Sequence, residues 1–142
     1  MKTILVPIRD DAVMSSALET ALNLARRCDS YIEGFALRWE IAEFTEADHR
    51  EIARIEVQAR ATFESFMRKR GVPRSTTTTD RPSFGWLDNA PEGDAFVGDY
   101  GRVFDVIVMS RSDKNTTRLH NRAINSCLFE SGRPILLLLR HL

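Results

Sequence analysis

Between Phe104 and Leu139 the chain reads FDVIVMSRSDKNTTRLHNRAINSCLFESGRPILLLL. An apolar run, a polar loop, an amphipathic segment and a second apolar run in that order leave few folds open. Val106 to Met109 is short, rich in β-branched residues and free of polar alternation, the pattern of a strand covered on both faces in a parallel sheet. Leu119, Ala123, Ile124, Cys127 and Leu128 then recur at helical spacing, and Gly132 followed by Pro134 closes that helix. Ile135 to Leu139 follows as a second strand, parallel to the first and joined to it by a right-handed crossover. In such sheets ligands bind at the loops leaving the carboxyl ends of the strands, here from Ser110 to Arg118.

The preceding chain repeats the same alternation. Thr3 to Ile8 is a buried strand, and Asp10 or Asp11 is a natural N-cap for the helix after it. Met14, Ala17, Leu18, Ala21, Leu22 and Ala25 mark one face of that helix, with Arg26 and Arg27 in its last turn, where cations suit the dipole. Tyr31 to Leu37 is a second strand. Trp39, in the connection after it, is expected to pack over the sheet edge or the helix ends. From about Glu46 to Arg70 the pattern is helical, with Ile52, Ile55, Ala59, Phe63 and Phe66 or Met67 inward and Gly71 as the stop. Glu56 with Arg60 and Glu64 with Arg68 are spaced to pair on the wet side. The four threonines of RGVPRSTTTTDRP read as loop or as a strand. A third strand is placed at Ser83 to Leu87, weakened by Gly85 and packed through Trp86, and a short helix falls around Asp94 to Arg102.

Strands and helices in strict alternation predict an α/β fold: a doubly wound, five-stranded parallel sheet with helices on both faces. With strands in the order 3-2-1-4-5, the topological switch falls between the first and the fourth, in a crevice lined by Pro7 to Asp11 and by Ser110 onward. A chain of 142 residues is expected to form one domain, spanning 1–142, that buries roughly two-thirds of its unfolded surface. The 20 basic and 20 acidic residues cancel, which argues against nucleic acid or an anionic membrane as the main partner. Cys28 and Cys127 fall within predicted helices at no metal-ligand spacing and read as reduced, packed thiols. The opening MKTILVPIRDD is apolar for too few residues to be a secretion signal, and no run approaches the ~20 apolar residues of a membrane span, so a cytoplasmic location is expected.

KTILVPIRDD with its Ala- and Leu-rich helix, YIEGFALR, DVIVMSR and the closing LFESGRPILLLL together resemble the universal stress protein family over nearly the whole chain. LFESGRP is most similar to the first repeat of two-repeat members. The resemblance implies a Rossmann-like fold of the adenine nucleotide alpha hydrolase-like kind, dimerisation through the last strand, and a non-enzymatic role in stress response through contacts with an unknown protein partner. Nucleotide-binding members carry Gly-x2-Gly-x9-Gly-Ser/Thr after the fourth strand, because backbone without side chains lets amides approach phosphate closely. Those places hold Ser110, Asp113, Ala123 and Ile124 here, and the family's acidic residue after the first strand corresponds to Arg9. The implied site, which also takes in Pro7, Ile8, Arg111 and Lys114, is therefore degenerate, and no cofactor is expected.

Two other readings of the same crevice stand beside this one. Arg111, Lys114, Arg118, His120 and Arg122 make the loop locally basic, and with Arg9 they are able to hold ATP, AMP or another anion by charge, with slow ATP hydrolysis as the attendant activity. Ordinary solvation of those side chains is the simpler account. Asp10 and Asp11 with Ser110 faintly resemble a phosphoacceptor receiver domain, which would also require Asp88 as the acceptor and a lysine where Arg140 stands. His49, His120 and His141 are scattered and form no catalytic motif, so no catalytic residue and no metal ligand is assigned. The closing strand, Ile135, Leu136, Leu137, Leu138 and Leu139, is an edge without charge or proline inside it and is expected to pair with its copy in a homodimer.

Overall fold

The computed structural model describes residues 2–9, 13–37, 46–75, 82–88, 90, 95–111, 124–126 and 130–139. Its elements are β1 (Thr3–Ile8), α1 (Met14–Cys28), β2 (Tyr31–Ala36), α2 (Glu46–Lys69), β3 (Ser83–Trp86), α3 (Ala95–Gly101), β4 (Val106–Arg111) and β5 (Ile135–Leu139). All five strands are parallel neighbours in one sheet of order β3-β2-β1-β4-β5, as the alternation of strand and helix requires.

The apolar periodicities divide the core into two layers. Ile4, Val6, Ile8, Ile32, Val106 and Val108 face one way and meet the stripe Met14, Ala17, Leu18, Ala21, Leu22 and Ala25 of α1 and Phe63, Phe66 and Met67 of α2. Leu5, Phe35, Ile107 and Met109 face the other way, toward Val97 of α3, Phe104 and Ile124. This is the two-residue period of a strand set against the helical period. Ile52 and Ile55 are only partly buried, because the inward stripe of α2 tightens toward its carboxyl half. Gly71 ends α2 at φ 71°, a backbone angle that costs a side chain but not a glycine.

Several boundaries differ from the sequence reading. β4 runs through Ser110 and Arg111 instead of stopping at Met109, because β5 pairs with it residue by residue as far as Arg111 with Leu139. The loop therefore begins after Arg111, and Ser110 is a strand residue. α1 starts at Met14 with Val13 in the cap position and no side-chain cap bond; Asp10 and Asp11 lie outside the described residues. β2 and β3 each end one residue early, although the Leu37 and Leu87 amides still donate to Ile8 and Gly34 carbonyls. α3 is shorter by a residue at each end. Trp39, the threonine run and the segment 112–123 lie outside the described residues. So do His120, His141, Cys127 and Leu128.

Candidate functional site

The expected crevice falls at the carboxyl ends of β1 and β4, where their pairing is short. β1 pairs with β2 over its whole length, from Thr3 with Tyr31 to Ile8 with Ala36, but with β4 only at Ile4 with Val106 and Leu5 with Ile107. Pro7, which has no amide hydrogen to offer, sits just beyond that last pair, so the ladder toward β4 has no donor there. Extending the register sets Arg9 level with Arg111 across the gap.

On the α1 side the gap is packed shut. Ser110 is 1% exposed, and its hydroxyl donates to the thioether of Met14, with Oγ and Sδ 3.8 Å apart. Ile8 is 2% exposed and Pro7 is buried as well. On the opposite side Arg9 turns its Nη1 out of reach of solvent. Ile124, at the last place of the expected motif, is 7% exposed and belongs to the layer of Leu5 and Met109. The structure sets Pro7, Ile8 and Arg9 at the carboxyl end of β1 and Ser110 near that of β4, and it buries Ile124 in the layer of Leu5 and Met109. Asp113, Lys114 and Ala123 lie outside the described residues, and for Arg111 only the backbone is described.

Polar clusters elsewhere serve the scaffold. Glu64 of α2 receives Arg60, Arg68 and Arg74; burial opposes its charge, yet the hydrogen bonds from Arg74 and Arg60 outweigh that and hold the carboxyl below its ordinary value. Arg60 also reaches Asp88, at 2.6 Å, which accounts for Asp88 as an ion-pair partner of α2. Asp105 accepts the amides of Lys2 at 2.7 Å and Thr3 at 3.0 Å, tying the start of β1 to that of β4, and these bonds depress its pKa. Among the described residues no group of acids, histidines and cysteines is arranged to hold a metal ion. No helix among them is long and apolar enough to cross a membrane.

Sequence reasoning passed over one cluster. Glu33, in the middle of β2, accepts the hydroxyls of Tyr31 and Tyr100. The signal available was a charged residue inside a strand that is otherwise apolar.

No family model and no curated protein sequence matches the chain. Solved structures do. The universal stress protein from Archaeoglobus fulgidus in complex with dAMP superposes with a TM-score of 0.61 at 14% identity, covering 96% of each chain. Universal stress protein UspA from Lactobacillus plantarum gives 0.59 at 17%, covering 96% of this chain and 97% of that one. A universal stress protein family member from Arabidopsis thaliana with AMP bound gives 0.55 at 14%, covering 99% of this chain and 93% of that one. The chain has the Rossmann-like α/β fold of these proteins.

Proposed function

We propose that the chain is a universal stress protein-type module, one domain over residues 1–142, that serves in the cytoplasm in stress response as a non-enzymatic homodimer with a degenerate nucleotide site. The observation that carries this reading is the β5 edge. It is the outermost strand, apolar throughout, and Leu136 there is 41% exposed. A flat apolar edge of this kind invites pairing, and an isologous contact between Ile135 to Leu139 of two copies satisfies both backbones at once. In the crevice, Ser110 against Met14 fills on one side the space that a glycine in the family motif would leave open. Arg9 brings a cation where the family has an acid.

The expected result is that purified protein carries no ATP and does not bind it. Calorimetry with ATP and magnesium, together with mass spectrometry of the denatured protein for retained nucleotide, checks this. Micromolar binding overturns it in favour of the second reading, a nucleotide- or anion-binding protein. That reading is supported by neighbours of the same fold with dAMP and AMP bound, and by Arg9 level with Arg111 at the crevice mouth. In that event Arg9→Ala, Arg111→Ala and Lys114→Ala locate the site by loss of affinity.

A further inference from the structure

Away from the crevice, on the α3 side of the sheet, a half-buried carboxylate stands in a rigid frame of phenols. The register of the sheet sets Glu33 between Leu5 of β1 and Gly85 of β3. The Tyr31 hydroxyl donates to its Oε1 at 2.7 Å, and the Tyr100 hydroxyl donates to its Oε2. Both rings are fixed by their surroundings. Tyr100 stacks on Phe96 with centroids 5.2 Å apart at 15° and meets Phe35 and Phe104 edge-on. Tyr31 lies so close over Gly85 that any Cβ there would collide with its hydroxyl. Burial first, then the hydrogen bond to Glu33, raises both phenol pKa values, so both remain protonated donors at neutral pH.

Among the described residues no cation pairs with Glu33. Arg74 is near enough to Tyr31 to act on it through its charge, but its guanidinium is bonded to Glu64. Glu33 is only half-buried, so a partner from solution is able to reach it. With each hydroxyl hydrogen committed to a carboxylate oxygen, what remains on Tyr31, Glu33 and Tyr100 is a set of acceptor lone pairs around one negative charge. A group with one positive charge and several N–H donors complements that set. We propose that Tyr31, Glu33 and Tyr100 bind the primary ammonium group of a small amine. The site is distinct from the crevice, since Glu33 lies three residues before the end of β2, about 10 Å along the strand. It stands whether or not the dimer does.

Methylammonium is the probe, titrated into the full chain while the ring signals of Tyr31 and Tyr100 are followed by NMR. For a ligand of two heavy atoms, the ceiling on affinity per atom places half-saturation at about 6 mM or above. A saturating shift that Glu33→Gln abolishes, with the circular dichroism spectrum unchanged, is the expected result. Should Glu33→Gln fail to fold, Tyr100→Phe keeps the ring, removes one acceptor and is expected to weaken binding about fivefold, as for loss of one hydrogen bond. Shifts that rise linearly without saturating overturn the proposal. So does an equal response to tetramethylammonium, which has no N–H to donate, or to potassium, which would make the cluster an alkali-cation site.

Discussion

β3 and β5 both end the sheet, and both leave one row of backbone groups facing outward, yet the chain treats them differently. Along β3 it lays down Pro73 to Ser75: the Phe84 amide donates to the Pro73 carbonyl at 3.1 Å, and Ser75 donates back to Phe84 at 2.8 Å. Arg74 then sits over the Phe84 ring, 5.1 Å from its centroid, while Glu64 holds its guanidinium. Along the outer side of β5 no segment pairs among the described residues, and the strand offers Ile and Leu alone. One edge is closed by the fold itself. The other is the one that the proposed homodimer would close with a second copy.

If the β3 side is a matter of folding, the largest losses of stability should come from its packing. Phe63 is fully buried between Gly34, Phe84 and Trp86, so Phe63→Ala is expected to cost about 3–5 kcal/mol, read from the urea midpoint. Gly34→Ala pushes a methyl to 2.9 Å from that ring and is expected to cost about 1–3 kcal/mol by the same measurement. Neither change should alter the assembly of the molecules that remain folded.

Arg74→Ala strips the side-chain cover from the β3 edge and leaves the backbone bonds of Pro73 and Ser75 in place. It removes an ion pair and a ring contact worth together about 1 kcal/mol. More tellingly, sedimentation should then reveal concentration-dependent species larger than those of the parent protein. If the β3 edge stays inert without Arg74, its backbone cover alone is sufficient and the contrast with β5 narrows to side chains.

The smallest effect is acid dependence at the start of β1. Because the amides of Lys2 and Thr3 hold the Asp105 carboxyl below its ordinary value, the folded state gains from its charge. That gain is complete above about pH 4, the unfolded value, and is lost as the pH falls through the lower folded value. Asp105→Asn should lower stability at neutral pH and flatten that part of the acid limb, with the two curves converging at the lowest pH.

What could be read from the residues alone followed from periodicity. The six buried positions of α1 and the strand order were legible, since two-residue and helical spacings are properties of sequence. The end of β4 was not, because Ser110 looks polar and only its partner Leu138 shows that the ladder continues. The start of α1 was missed because Asp10 and Asp11 suggest a cap that Val13 occupies without a side-chain bond. The frame of phenols around Glu33 was illegible, since Tyr100 reaches it from an element 67 residues away. The meeting of Ser110 with Met14 was not legible, since it joins residues 96 apart and required the fold.

The central claim is that the β5 edge pairs with its own copy. Light scattering at tens of micromolar protein measures this most directly. The account predicts twice the chain mass, and predicts that Leu137→Pro, by removing a ladder donor, halves it while circular dichroism shows the fold retained. A monomer mass for the parent protein, or a dimer unchanged by Leu137→Pro, would contradict it.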